Sequence, residues 1–435
     1  MRENTPPRSP MDELVGEDDD DEELIYVGDA DEVLDAWEQE EAEDEERKIV
    51  AVVFLLSSTA SSFSNDCPCF FPLVDAETGP AAEQHALRRS PVQDDAKLTF
   101  TKHTAPVFCG ALHPTEELAV TGGEDDKAYV WHIRTGEVLH EVTNHSDSVV
   151  AVGFSYDGSF VATGDMAGYI QVFKVSQNYR QVWEFTVGDM GWMRWHTGAN
   201  VLMAGCEAGE VYVWRIPSGD CKVLPGHEAR TESAELLHDG KRLLVGYGNG
   251  HVKLWDLKSG TPLLEVDSTV GHKENITALA ADQDGQLFVT GWEDGSLYLM
   301  GPGGVLGQLV APNEYPIESV LVDYPGFEMK VAASGTLQGK LTIWDAARQT
   351  KRVECEDDNP NGITKLVWLK DFTICAGTLG GWIKGWDFRS GAKRFTLDGH
   401  TNDIQSLSYD RQRNLILSTS EDCTAKIFEV PAAGQ

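Results

Sequence analysis

Five histidines occupy one place in a periodic sequence. His103, His145, His227, His272 and His400 each stand 28 residues before a residue that closes an alternating apolar run. Asp125, Asp294 and Asp422 lie six residues before the same landmark, and Thr121, Thr163, Thr290, Ser334 and Ser418 lie ten before it. Imidazole, carboxylate and hydroxyl are the groups of acid–base catalysis, and imidazole with carboxylate is also a metal donor set. At one set per repeat, however, the histidines of different units are spread far apart. Within one unit the carboxylate, imidazole and hydroxyl, with an indole N–H, are groups that can hydrogen-bond to one another. A buried carboxylate is tolerable when it is paired in this way. His103, Thr121, Asp125 and Trp131 supply all four members. His272, Thr290 and Asp294 supply three, as do His400, Ser418 and Asp422, with Met300 and Phe428 where the indole would be. These residues are therefore expected to be structural, and no catalytic residue, metal site or cofactor is expected. The glycine-rich run 301–307 follows a strand but opens no helix, so it reads as a strand connection rather than a phosphate loop.

The landmark itself is Trp131, Phe173, Trp214, Trp255, Met300, Trp344, Trp386 and Phe428, at successive spacings of 42, 41, 41, 45, 44, 42 and 42. One residue before it stand Val130, Val172, Val213, Leu254, Leu299, Ile343, Gly385 and Ile427, a period-two pattern of strands. Asp157-Gly158, Ser259-Gly260 and Asp284-Gly285 supply turns between the runs. Units of this length with several short strands are propeller blades. The expected fold is all-β, an eight-bladed WD40-type β-propeller over residues 97–435. The polar set resembles the WD-repeat tetrad, which implies hydrogen bonds running from Asp to His to Ser/Thr to the indole N–H. The last unit has sequence for three strands only. Residues 97–101 (Lys-Leu-Thr-Phe-Thr) have no partner of their own and are expected to complete it, removing two open sheet edges.

Residues 1–96 are of another kind. Between Arg8 and Arg47 there is no Lys or Arg but there are 20 Asp or Glu, a composition expected to give a disordered acidic arm. An apolar and Ser-rich stretch at 48–75 interrupts it and carries no assigned role. The whole chain has 71 acidic against 35 basic residues, net −36. Residues 1–96 hold 27 acids and 6 bases, which leaves 44 and 29 for the propeller, a balance of −15. Phosphate backbones and anionic membranes would repel such a molecule, so neither direct nucleic-acid binding nor membrane insertion is expected. The eight cysteines show no paired metal spacing, and no basic leader precedes an apolar run. A soluble monomer in the cytoplasm is expected, with nuclear presence and peripheral membrane association left open.

In a propeller the turn holding the tetrad Asp and the loop entering each blade share one face. The residue before that Asp is Glu124, Met166, Glu207, Gly248, Glu293, Leu337, Leu379 and Glu421 around the ring. The blade entrance, 25 residues before the landmark, is Pro106, Ser148, Asp189, Arg230, Asn275, Ser319, Asn361 and Asp403. Glu124, Glu207, Glu293, Glu421, Asp189 and Asp403 thus form a candidate acidic face for a Lys/Arg-rich protein partner.

Residues 120–127 (Val-Thr-Gly-Gly-Glu-Asp-Asp-Lys), 154–158, 161–166, 188–195 and 218–222 resemble the angio-associated migratory cell protein family. The resemblance spans about residues 97–430, and residues 21–25 (Asp-Glu-Glu-Leu-Ile) resemble the family's acidic opening. It implies an eight-bladed propeller and two lines of function. One is that of a fungal relative, a ribosome-assembly chaperone that escorts a basic protein of the large subunit. The other is signalling linked to cell migration and angiogenesis. The expected function is a chaperone or escort for a basic client in ribosome biogenesis. The alternative is a signalling scaffold or a ubiquitin-ligase substrate receptor.

Overall fold

The computed structural model describes residues 93–267, 274–313 and 315–431. Residues 1–92 of the acidic arm, with the 48–75 stretch, and His272 lie outside them. Among the described residues, 32 strands form eight antiparallel four-stranded sheets. In chain order, blades 1 to 7 span 107–142, 149–186, 190–224, 231–266, 276–310, 317–354 and 363–397. In blade 1 the strands a to d are Val107–Leu112, Leu118–Gly123, Ala128–His132 and Val138–Val142. The five tryptophan landmarks fall in one register: Trp131, Trp214, Trp255, Trp344 and Trp386 sit on strand c opposite Ala119, Leu202, Leu243, Ala332 and Ile374 of strand b. Strands b and c are buried on both sides, not on alternate residues, because each blade is sandwiched between two others.

How close the blades come is set by one glycine per repeat. A Cβ on Gly122, Gly164, Gly205, Gly246, Gly291, Gly335 or Gly377 of strand b would stand 2.2 to 2.9 Å from a side chain of the next blade's strand a. In blade 8 that position is Thr419, and the facing strand compensates: Gly110 of blade 1 leaves the room, since its own Cβ would meet Thr419 Cγ2 at 2.8 Å. Neighbouring a strands touch all the way round, blade 8 against blade 1 included, so the ring is closed.

Closure is made as the last unit requires. Leu98–Phe100 pairs antiparallel with Ala425–Glu429 and becomes the fourth strand of blade 8, beside Leu415–Ser420 and Ile404–Asp410. Phe100 is buried and stacks on Trp131 of blade 1, ring centroids 4.6 Å apart. The clasp begins ahead of Lys97. Asp94 accepts from Lys426 Nζ at 2.6 Å, and Asp95 exchanges hydrogen bonds with Asp398.

The polar network is present where the sequence holds it complete. His103 Nδ1 donates to Asp125 Oδ1 (2.9 Å), and the Thr121 hydroxyl joins His103 Nε2 (3.0 Å) and accepts from Trp131 Nε1 (3.2 Å). In blade 8, His400 joins Asp422 (2.9 Å) and Ser418 (2.8 Å), with Phe428 replacing the indole. A third network escapes the sequence register. His145 reaches Thr163 (2.8 Å) and Asp165 (3.1 Å), and Asp165 lies eight residues before Phe173 rather than six. In blade 5 the indole bonded to Thr290 is that of Trp292, not the landmark position, and Asp294 accepts from Ser296. Burial opposes ionisation of Asp422, but hydrogen bonds from His400, Thr424 and the Thr401 N–H prevail and hold its pKa down at about 2.

Two outcomes follow. A chain starting at Pro91 should melt with the full-length protein, whereas one starting at Lys102 should melt far lower, since losing buried Phe100 alone costs roughly 3–5 kcal/mol. Equal melting temperatures for the two truncations would refute the clasp. Second, Asp422 has its pKa lowered from 3.8 to about 2 by folding, so its contribution is present above pH 4 and lost as pH falls through 2. Asp422→Asn should cost roughly 2 kcal/mol at neutral pH in urea titrations, with the deficit closing toward pH 2.

Candidate partner-binding site

One backbone bond ties each tetrad turn to the loop that enters its own blade. The N–H of Glu124, Met166, Glu207, Gly248, Glu293 and Glu421 donates to the carbonyl of Pro106, Ser148, Asp189, Arg230, Asn275 and Asp403 respectively, at 2.8 to 3.0 Å. These rungs bring the two rows of residues onto one face, around one mouth of the axial channel. In blades 6 and 7 the register differs from the expectation. Leu337 pairs with Pro316 and Leu379 with Gly362, so Ser319 and Asn361 are not the entrance residues there. The repeat spacing of 44 residues in blade 6 includes a longer a–b connection, which displaces strand a relative to the landmark. Ser319 is instead buried within strand a, where its hydroxyl accepts from the Leu366 N–H.

The acidic residues form two arcs rather than an even ring. Glu124, Asp403 and Glu421 crowd together at blades 8 and 1. Burial raises the Glu421 pKa, and the charges of Asp403 and Glu124 push it further, against hydrogen bonds from Gln405 (2.9 Å) and Asn402 (3.1 Å). Asp189, Glu207 and Glu293 define the second arc, at blades 3 to 5, and it is deepened by two carboxylates that sequence periodicity missed. Glu232 and Glu318 both have raised pKa values, first from burial. Glu207 and Glu293 add to the first, although Arg230 opposes them, and Glu293 adds to the second. Arg230 Nε lies 3.2 Å from Glu232 and 3.6 Å from Glu207, a cation that offsets part of this arc.

A β-bulge explains the omission. In all eight blades the a–b register slips across the second residue of strand a, the position of Glu232, Glu318 and Gln405. Bulges re-aim a side chain, here out of strict alternation. The available signal was an acid just inside strand a in two units. Between the arcs the face is apolar: Met166 on one side, and Leu337, Leu379 and Trp382 on the other.

Below the mouth, strands a of blades 3 to 7 line an axial cavity of about 370 Å³. Its wall includes Glu318 near the mouth, then Lys365, Arg194 and Glu235 deeper in. Arg194 Nη1 donates to Glu235 Oε2 at 2.6 Å. Lys365 opens onto the cavity but is surrounded by protein, and this desolvation lowers its pKa, with Arg194 adding to the effect. The mouth is thus anionic while the deeper channel is not.

A family profile described as "WD domain, G-beta repeat" matches residues 95–132, 136–174, 220–256, 264–299 and 391–429. The angio-associated migratory cell protein of Homo sapiens is 40% identical over 350 residues, covering 77% of this chain and 80% of that protein. The ribosome assembly protein SQT1 of Saccharomyces cerevisiae is 22% identical over 378 residues, 76% of this chain and 86% of its own length. The crystal structure of Chaetomium thermophilum Sqt1 bound to the N-terminus of the ribosomal protein L10 has the same fold, at TM-score 0.69 and 19% identity, covering 78% of this chain and all of that one.

A carboxyl whose folded pKa stands above its ordinary value of 4.5, as that of Glu318 does, opposes folding once pH rises through that ordinary value. Glu318→Gln should therefore raise the urea midpoint at pH 7 and lose that advantage below about pH 4. A lower midpoint at pH 7 would show that the carboxylate is stabilised, not strained, where it stands.

Proposed function

This chain belongs to the angio-associated migratory cell protein family, and on that premise we propose that it is a non-catalytic escort whose acidic mouth receives a Lys/Arg-rich segment of a client protein. The observation that carries this reading is the convergence of carboxylates from separate blades at the mouth. Glu232, Glu318 and Glu421 are held toward their neutral forms by burial and by neighbouring carboxylates. A bound cation offsets this crowding of like charge. One exposed ion pair is worth only about 0–1 kcal/mol, but several carboxylates converging on one segment add usefully and steer association. Deeper in, Glu235 is already paired with Arg194 and Lys365 stands beside them, so the channel offers a basic segment less than the rim does. The client therefore lies across the mouth, with the apolar sector of Leu337, Leu379 and Trp382 available to its uncharged side chains.

A basic large-subunit ribosomal protein fits this chemistry, and the Chaetomium thermophilum relative bound to the L10 N-terminus supports that choice. The signalling-scaffold alternative would draw on the apolar sector instead.

Replacing Glu124, Glu207, Glu293 and Glu421 together by Gln should weaken a Lys/Arg-rich peptide far more than any single change and flatten its salt dependence. The control is the same exchange at Glu116, Glu137, Asp220 and Glu328, exposed residues of the opposite face. Equal losses from both sets, read by fluorescence anisotropy, would mean diffuse attraction and no site. No loss from either would shift the assignment to the apolar sector and the scaffold reading.

A further inference from the structure

Blade 4 keeps the repeat histidine without its network. In blades 1, 2 and 8 both nitrogens of this histidine are engaged by a hydroxyl and a carboxylate. In blade 4 the hydroxyl position is Val245 and the carboxylate position is Asn249. Among the described residues, the hydrogen-bond partner of His227 is the Asn249 side chain, 3.2 Å from Nε2. The histidine has acquired a different neighbour. His251 lies against it with ring centroids 4.1 Å apart, and Nδ1 of His251 is buried without a hydrogen-bond partner. Glu265, on strand d, completes the group. One donor atom from each of the three residues lies within 4.8 Å of the others.

Two other blades carry an ion pair at this place. The residue four before the landmark and the one ten after it are Lys127 and Glu141 in blade 1, paired at 2.7 Å, and Lys340 and Glu354 in blade 6, paired at 3.2 Å. Blade 4 has His251 in place of the lysine and retains the acid as Glu265. Where blades 1 and 6 have a permanent cation, blade 4 has a side chain that can ligate one.

We propose that His227, His251 and Glu265 form a binding site for a divalent transition-metal ion of the zinc type, two imidazoles and one carboxylate leaving a fourth position for water. Metal–ligand distances of about 2.0–2.2 Å require the three side chains to draw together. Glu265 is exposed and is the one that swings. The competing occupant is Lys253, whose ammonium lies 3.1 Å from Glu265 and over the rings of Tyr247 and Trp255. An incoming ion displaces it from the carboxylate, and the aromatic faces remain to hold it. None of the three residues is assigned to the client, so the proposal does not rest on that reading.

The test is calorimetric titration of the full chain with zinc chloride in excess magnesium. Magnesium takes oxygen ligands and occupies the carboxylates of the arm without competing for imidazole. One saturable zinc equivalent is expected. His251→Lys, which rebuilds the ion pair of blades 1 and 6, should keep the melting temperature and weaken zinc at least about tenfold. His227→Gln should weaken it comparably, and Lys253→Met should tighten it. Unchanged affinity and stoichiometry in both histidine variants, or no saturable equivalent in the wild-type chain, would overturn the site.

Discussion

The space of one methyl group governs this molecule. Wherever strand b of one blade faces strand a of the next, a glycine on one side admits a Val, Ile, Met or Thr side chain on the other. Interiors packed to organic-crystal density cannot absorb even a single extra carbon without a shift. Eight such contacts in series set the circumference, and the circumference sets how tightly eight a strands crowd the axis. The exception supports the rule. Blade 8 carries Thr419 at this place, and blade 1 answers with Gly110. The contact survives because the required property is distance between backbones, not the glycine of a particular strand.

Closure then depends on a strand borrowed from the far end of the chain. Leu98–Phe100 satisfies the open edge of Ala425–Glu429, and Phe100 carries the contact into blade 1 through Trp131. The tetrads are subordinate to this. Among the described residues they are seen in blades 1, 2 and 8, the blades that meet at and beside the seam. Where the network is lost, apolar packing and strand pairing hold the blade, and the residues it releases are available for other chemistry. Blade 4 is the clearest instance, with His227 retained beside His251 and Glu265.

Crowding at the axis also accounts for the electrostatics of the mouth. The rungs from each tetrad turn to its own blade entrance bring carboxylates from separate repeats within reach of one another. The bulge in strand a adds Glu232 and Glu318 just inside the rim. Their raised pKa values express a cost that folding accepts: like charges held together where water is partly excluded.

By itself the sequence determined what repeats. Eight units, the tryptophan register, the complete tetrad of His103, Thr121, Asp125 and Trp131, and the orphan strand at Leu98–Phe100 are all written in local spacing, because residues of one blade are neighbours along the chain. What spacing could not reach was whatever the ring decides. Asp165 serves its tetrad two residues out of step, and Pro316 and Gly362 take the entrances that periodicity gives to Ser319 and Asn361. Glu232 and Glu318 join the acidic face through a bulge. His227 lies beside His251 and Glu265 in a blade whose hydroxyl and carboxylate positions are Val245 and Asn249. Period-two alternation fixes which side of a strand a residue occupies. Only the closed ring, with every blade pressed between two others around a shared axis, decides which side chains of different strands come close enough to act together.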